Sequence, residues 1–363
     1  MHTDFIELSA VLCNENLLKT DFLFSAHQRL WCNAFGEHFQ SICTEIANQQ
    51  KYANLPALSR IEYNMLYTNF INRSYIAEVW VYGDKLYTDK YQQMIGEYDL
   101  SFLFIFFDEL WNKLLSTRKR YVGMVRAHEV TALIIQTLPD FYSYLVSVAR
   151  HTIRDLVDKQ PFISIAKNED FRVNIGEYMS CTEPVFIEKR NKNAKVLAEY
   201  FMKQLRNAYT FEDYSNLDFS GQCFTYTELR YSHFRNTCLN DSTLEGSCLI
   251  GTSFIRASME NCCMNKCSIQ EADFSYANLK NACFVNACGK AGLPDKYEWR
   301  HTGFLPVSFR NANLTNTDFT GADLTGADFT DAILDGTDFT SAVLDDTIFS
   351  DSTFVAQISK YQG

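Results

Sequence analysis

The chain of 363 residues is long enough for two domains, and its 44 acidic against 33 basic residues give a formal net charge of −11. Aromatic residues make up 15% of the chain, which excludes a largely disordered protein, and the acidic balance disfavours direct binding to nucleic acid. The N-terminus lacks a basic start followed by an apolar run, and the longest apolar run, Phe102 to Phe107, is too short to span a bilayer. We therefore expect a cytoplasmic protein without a membrane-spanning segment.

The first 210 residues are dominated by apolar residues at helical spacing. This spacing predicts helices over about 25–49, 56–70, 100–118, 121–137, 140–158 and 192–207. Residues 78–82 and 85–87, joined at Gly83-Asp84, predict a short hairpin, and residues 162–187 predict a second, weaker β region. The helix at 192–207 is expected to cover the first layer of the structure that follows.

A period of five residues runs through the rest of the chain. Large apolar residues recur at every fifth position, 14 times from Phe219 to Phe284 and 10 times from Phe309 to Phe354. A small side chain lies two residues before each centre, except at Leu217, Gln222 and Val307. A period of five fits neither a helix nor a strand, so it predicts a solenoid in which each repeat points one large side chain inward.

The spacing also predicts how the repeats close into coils. Four repeats would form a square coil of 20 residues, and coils would stack at roughly 4.8 Å. The Phe/Leu alternation from Phe309 to Phe349 supports fourfold closure, because it places Phe on two opposite walls. Cys263 and Cys283, one coil apart, should share an outward column within disulfide range.

Several repeats share one pattern, a small residue followed by Asp or Asn and then Leu or Phe. Matching triplets include Ala272-Asp273-Phe274, Ala312-Asn313-Leu314 and Ala322-Asp323-Leu324. From Asn216 to about Phe354 the chain resembles the pentapeptide-repeat family, and this resemblance implies a right-handed quadrilateral β-helix. The predicted fold class is thus α plus β-solenoid: a mainly α-helical domain with short hairpins over 1–210, then a β-helix of about six coils over 211–363.

One interruption breaks the repeat, at about 286–303, where Gly289, Gly292 and Pro294 are typical of a loop. Three interpretations remain open: a protruding binding loop, a structural segment in which Trp299 folds back on the coil to shield a local gap, or a degenerate coil of about 20 residues. If it is a loop, Tyr297, Trp299 and Arg300 provide the side chains that are enriched in protein-binding hot spots.

Acidic residues concentrate at the C-terminal end. Residues 311–363 contain nine Asp and one Lys, and many of these Asp residues belong to the repeat pattern. The additional acids Asp331, Asp335, Asp345, Asp346 and Asp351 suggest a stacked acidic column that could imitate a phosphate backbone and meet a basic groove. We predict that Asp331, Asp335, Asp345 and Asp346 bind a partner.

Signs of catalytic or metal chemistry are weak. His128-Glu129 begins a zinc-protease pattern, but Ala132 takes the place of the second histidine. Eight of the twelve cysteines fall between Cys223 and Cys288, yet none has the two-residue spacing typical of zinc sites. We expect no catalytic residue, metal or cofactor.

Two function classes follow. The first is a non-enzymatic interaction protein with an acidic rod; the family resemblance implies DNA mimicry and binding to a type II topoisomerase, either DNA gyrase or topoisomerase IV, with antibiotic resistance as the outcome. The second places a ligand-binding or enzymatic activity in residues 1–210, with the solenoid as a docking arm. Neither class requires a dimer, and nothing in the sequence supports one.

Overall fold

The computed structural model describes residues 2–83, 91–157, 159–178, 182–189, 199, 203, 209–290 and 305–350. The chain separates into two compact units, Met1–Asn191 and Lys192–Gly363. The first unit combines helices with one sheet, and the second is a stack of five-residue repeats.

The sheet of the first unit has five strands in the order β3-β2-β1-β4-β5. Strands β1 and β4 are parallel, and the other neighbouring pairs are antiparallel. The strands are β1 (Leu58–Met65), β2 (Ile76–Tyr82), β3 (Gln92–Asp99), β4 (Lys167–Glu177) and β5 (Thr182–Lys189). The helices are α1 (His2–Tyr52), α2 (Tyr67–Ile71), α3 (Phe107–Arg118) and α4 (Ala127–Arg154).

The core of this unit is aromatic. Helix α1 packs against α3, α4 and β3, and Phe35 on α1 lies 5.4 Å from the ring of Tyr63 on β1. On the same helix, Phe39 lies 5.8 Å from the ring of Phe162. Phe35, Phe39 and Tyr63 are fully buried, so α1 and the sheet share one hydrophobic core.

Several sequence-based expectations for this unit were wrong in detail. Residues 56–70 form β1 and α2 rather than one helix, because β1 lies between β2 and β4 and is buried along most of its length. Ile61, Tyr63 and Met65 alternate with Glu62 and Asn64, as is typical of a strand, and the helical prediction overlooked this alternation. The two helices predicted over 121–137 and 140–158 are the single helix α4, which continues through Pro139.

The β structure is more extensive than short hairpins. Strand β2 pairs with β3, with Tyr82 opposite Gln92, whereas the predicted returning strand, 85–87, lies outside the described residues. The predicted region 162–187 becomes β4 and β5, which join the same sheet. The predicted helix at 192–207 lies almost entirely outside the described residues.

Helix α4 is long and apolar enough to cross a membrane by length and composition alone. Polar residues interrupt the apolar stretches of α4, so it contains no long uninterrupted apolar run that would mark it in the sequence as a membrane span. Over half of the relevant window, 56%, is buried inside the structure, and buried core helices of soluble proteins pass the same test.

The second unit is organised by backbone hydrogen bonds between repeats. The residue before a centre forms a parallel bridge with the residue 20 positions later, as in Asp213 with His233, except across the interruption, and these bridges run in four columns. The backbone two residues after each centre is left-handed, with φ of 62° at Asn216 and 54° at Asn236. Glycine, Asn and Asp fill many of these positions, because they tolerate this conformation best.

The predicted inward residues are confirmed as the core. Every centre from Phe219 to Phe284 and from Phe309 to Phe329 is buried. Along one column the rings from Tyr214 to Phe349 stack face to face, with centroid distances between 4.8 and 5.1 Å. Leu334, Leu344 and Phe349 are only partly buried, because they lie in the final described layer.

We expect Ala322→Leu to lower the free energy of unfolding of the second unit by about 1–3 kcal/mol. Ala322 is fully buried between centres Phe319 and Leu324, and its carbonyl accepts the Val343 N–H at 2.9 Å. A larger side chain there has no space to occupy. Thr320→Lys, at a half-buried outward position, should be nearly neutral, and equal shifts for the two variants in denaturant unfolding would contradict the inward assignment.

Candidate partner-binding surface

The aspartates of the repeat pattern have a structural role. The Oδ1 atoms of Asp318, Asp328 and Asp338 accept the backbone N–H of the threonine two residues later, at 2.8 to 2.9 Å. Asp323 makes the same contact with Thr325 at 3.3 Å. These carboxylates therefore close the turn of each repeat. Hydrogen bonds from the hydroxyl and the N–H of Thr340 hold the pKa of Asp338 below its ordinary value.

The four additional aspartates are different. Asp331, Asp335, Asp345 and Asp346 are all exposed. The Asp331 carboxylate accepts the Ser350 hydroxyl at 3.0 Å, whereas the other three have no side-chain partner among the described residues. We call these four residues the acidic collar. It lies in the final described layer, where the solvated carboxylates remain available to a cationic partner.

The four collar residues do not form the stacked column that we predicted, and Asp351, the fifth acid of that prediction, lies outside the described residues. One layer earlier, the residues that share its columns are Asn311, Thr315, Thr325 and Gly326, which are all neutral. A vertical acidic pair exists elsewhere, at Asp318 and Asp338, which bridge each other directly. The collar therefore distributes charge around one layer of the stack rather than along a line.

The interruption of the repeat begins after Gly289. Ala287 and Cys288 still hold their places, since Cys288 bridges Ser268 and then Asp323. Asp273 bridges Ser308, 35 residues later instead of 20, so no layer intervenes between them. The degenerate-coil interpretation is therefore wrong, and the interruption begins later than the predicted 286. Tyr297, Trp299 and Arg300 lie outside the described residues.

Gly289 and Val307 compensate for each other at this junction. Gly289 occupies a centre position, where its column otherwise carries Leu249, Ile269 and Leu324. A Cβ atom on Gly289 would lie 2.7 Å from Cγ1 of Val307, the large residue at a normally small position. Val307 thus fills the space that the missing side chain leaves. The sequence showed both exceptions but not that they are neighbours.

His38 and His27 of the first unit contact other groups of the fold. His38 Nδ1 lies 3.2 Å from the Tyr63 hydroxyl, and Nε2 lies 3.0 Å from the Glu97 carbonyl oxygen. Burial lowers the pKa of His38, which favours the neutral ring. His27 Nδ1 lies 3.1 Å from the Leu23 carbonyl oxygen of its own helix. Within the described residues, no group of three or more His, Cys, Asp or Glu residues could hold a metal ion.

Cys263 and Cys283 are neighbours, as the 20-residue spacing predicted: the two residues form a parallel bridge, and both thiols are free and half-buried. Burial, together with Asp318 and Cys263, raises the pKa of Cys283. Burial also raises the pKa of Cys43, to about 12, and that of Cys13, to about 11.

Under mild oxidation, we expect Cys263 and Cys283 to cross-link faster than any pair among Cys13, Cys32 and Cys43. The reaction should be faster at pH 9 than at pH 7, because the thiolate is the reactive form and the pKa of Cys283 is raised. Peptide mapping after oxidation measures the link. Cys283→Ser is the control, and a map without the 263–283 peptide pair in the unsubstituted protein would contradict the prediction.

The comparisons agree with the repeat. The family model described as Pentapeptide repeats matches residues 252–288, 308–346 and 323–355, all within the second unit. The C-terminal unit is therefore a pentapeptide-repeat domain, and the family resemblance read from the sequence is confirmed. No family matches the N-terminal part, and no curated protein matches the chain.

Solved structures of pentapeptide-repeat proteins match part of the chain. One from the thylakoid lumen of Arabidopsis thaliana is 26% identical and covers 39% of this chain and 73% of its own, with a TM-score of 0.20. HetL, involved in heterocyst differentiation regulation in the cyanobacterium Nostoc, is 18% identical, with coverages of 44% and 98% and a TM-score of 0.13. QnrB1, a plasmid-mediated fluoroquinolone resistance protein, is 17% identical, with coverages of 42% and 89% and a TM-score of 0.14.

Proposed function

We propose that the C-terminal unit is a non-enzymatic docking rod whose acidic collar binds the basic, DNA-binding groove of a type II topoisomerase, either DNA gyrase or topoisomerase IV. The observation that carries this proposal is the set of exposed carboxylates of Asp335, Asp345 and Asp346, which have no side-chain partner among the described residues. The choice of a topoisomerase rests on the behaviour of some pentapeptide-repeat proteins.

The charge distribution supports imitation of a duplex. Residues 305–350 contain eight Asp and one basic residue, Arg310, whose guanidinium is engaged by Asp328 at 2.8 Å. Duplex DNA is negative around its whole circumference, and the collar likewise spreads its carboxylates over several columns. Attraction to a basic groove would then draw the rod and the enzyme together.

Three further elements belong to this proposal. The repeat stack would be a right-handed quadrilateral β-helix of about six coils, in keeping with its four bridge columns. Tyr297, Trp299 and Arg300 would form a second contact with the enzyme. The interruption would then be the segment that protects the enzyme from the drug. The protein would act in the cytoplasm.

In a supercoiling assay, the purified protein should inhibit the topoisomerase or protect it from a quinolone at micromolar concentration or below. The effect should weaken with rising salt, because charges are screened over about 10 Å at 0.1 M. Replacing all four collar residues should abolish it. Asp335 and Asp345 are changed to Lys; Asp331 and Asp346 are changed to Asn, because their backbones are left-handed at φ 58° and 57°.

A control in the first unit separates location from most of the change in net charge. Glu37 and Glu97 are exposed, and changing both to Lys raises the net charge by four, whereas the collar variant raises it by six. This control should retain full effect on the enzyme. Saturating unsubstituted protein that neither inhibits nor protects would refute the topoisomerase assignment, and the first unit would then become the place to seek an activity.

A further inference from the structure

The turn between α3 and α4 exposes two apolar side chains next to each other. Val122 is 85% exposed, more than any other large apolar side chain in the described part of the chain, and Met124 is 46% exposed. Gly123, between them, has φ of +81°, and a Cβ atom added there would meet no other atom within 4 Å. These three residues, which we call the apolar tip, therefore project into solvent.

The base of this turn is fixed to the fold. The ring of Tyr121 packs edge to face with that of buried Phe5 on α1, and the ring centroids are 5.4 Å apart. The Tyr121 carbonyl accepts the backbone N–H of Met124 at 3.0 Å and that of Val125 at 3.2 Å, and Val125 is buried. The fold therefore holds the apolar tip outward. Exposed apolar residues gathered on one anchored turn indicate an interaction site.

Cations flank the apolar tip along the chain. Lys119 and Arg120 precede it, Arg126 follows it, and all three are exposed. None of the three forms an ion pair with another described residue. Arg118 is half-buried and brings the number of cations within nine residues to four, whereas residues 110–128 contain no acid. A cluster of this kind beside exposed apolar side chains is typical of a surface that binds anionic lipid.

Acidic residues lie at the base of the turn. Asp4 and Glu7 lie on either side of Phe5, and Glu129 accepts the backbone N–H of Arg126 at the start of α4. They lower the positive charge near the turn, so the apolar tip must contribute to any binding. A nucleic acid offers the tip no apolar phase, because its outer surface is phosphate and sugar. An anionic bilayer offers both negative headgroups and an acyl boundary.

We propose that the apolar tip and the cations beside it dock the first unit on the surface of an anionic phospholipid bilayer. Val122 and Met124 enter the boundary between headgroups and acyl chains, and Lys119, Arg120 and Arg126 contact the headgroup phosphates. Burial of the two side chains removes apolar surface from water, and each cation near the membrane adds attraction. This docking is independent of the topoisomerase assignment.

Co-sedimentation of the full chain with vesicles tests the docking. The chain should bind phosphatidylcholine–phosphatidylserine vesicles but not vesicles of phosphatidylcholine alone, and binding should weaken as salt rises. Val122→Asp should weaken binding by about tenfold or more, because a charge replaces a buried apolar group. Ile163→Asp is the matched control, since Ile163 is 52% exposed and should leave binding unchanged. Its neighbour Phe162 contacts Phe39, which lies about 50 Å along α1 from Phe5.

Charge reversal tests the cations. Lys119→Glu combined with Arg120→Glu should weaken vesicle binding by about thirtyfold or more, because each cation near an anionic membrane adds to the attraction. Lys51→Glu combined with Lys159→Glu changes the net charge equally and is the control. Both lysines are exposed, Lys51 lies at the far end of α1, and the Lys159 carbonyl accepts the Ile163 N–H at 3.2 Å.

A tryptophan at the apolar tip reports insertion directly. In Val122→Trp, vesicles with brominated acyl chains should quench the added fluorescence, whereas Ile163→Trp should show no added quenching. Failure to bind phosphatidylserine vesicles, binding that survives Val122→Asp, or an unquenched tryptophan at the tip would each overturn the proposal. Duplex DNA that binds the chain, and is lost with the Lys119–Arg120 reversal but not with Val122→Asp, would also overturn it in favour of nucleic acid.

Discussion

Replacing Phe309 with alanine should lower the free energy of unfolding of the C-terminal unit by about 3–5 kcal/mol. The Phe309 ring is fully buried and stacks between Phe274, at 5.1 Å, and Phe329, at 5.0 Å. Phe284 and Phe319 meet its edges at 5.6 and 5.3 Å. Removing the ring leaves a cavity in the first layer after the interruption, where four aromatic contacts disappear together.

The consequence should reach beyond one layer, because each repeat is stabilised only by its neighbours. Hydrogen exchange, followed by mass spectrometry, separates the two units and should show loss of protection on both sides of the interruption. Thr320→Ala is the control, since its side chain is outward and half-buried, and it should change stability by less than about 0.5 kcal/mol. A loss below about 1 kcal/mol for Phe309→Ala would mean that the ring is not a core residue.

Gly289→Leu should destabilise the same unit by about 3 kcal/mol, at the upper end of the cost of overpacking. A Cβ atom there would lie 2.7 Å from Val307 Cγ1 and 3.1 Å from Ile269 Cγ1. The backbone of Gly289 is not left-handed, so the cost comes from the clash alone. Adding Val307→Ala should recover most of the loss, because the leucine then takes the place that Leu249 and Leu324 hold in their layers.

A double-mutant cycle measures this compensation. The coupling between positions 289 and 307 should exceed about 1 kcal/mol, as is usual for residues in contact. Gly221→Ala provides the control, because Gly221 has φ of +68° and a Cβ atom added there would meet no other atom within 4 Å. Its cost of about 1 kcal/mol should be purely conformational and should add to that of Val307→Ala. Simple additivity at 289 and 307 would disprove the compensation.

The acidic collar illustrates a limit of reading charge from sequence. The repeat pattern correctly separated Asp318 and Asp338 from the extra acids, and the structure gives the former a turn-closing role. The pattern did not indicate which acids would share a column, because this depends on the 20-residue bridge register. Read in that register, the acids at Asp335 and Asp345 stand above neutral threonines rather than above one another.

The sequence alone determined the core of the C-terminal unit. In a narrow solenoid each repeat has space for one large inward side chain, so residue size at a fixed period identifies the buried residues without knowledge of distant contacts. The neighbouring positions of Cys263 and Cys283 followed from the same period.

Only the tertiary structure decided the fold of the first unit and the junction in the second. Strand β1 pairs with β4, which lies far along the chain, and its position inside the sheet buries even its polar residues Glu62 and Asn64. Gly289 and Val307 each break the repeat, and their compensation depends on contact across the interruption. A local sequence pattern shows which positions require large, small, apolar or polar side chains. The residues that each side chain contacts depend on which distant segments the tertiary structure brings together.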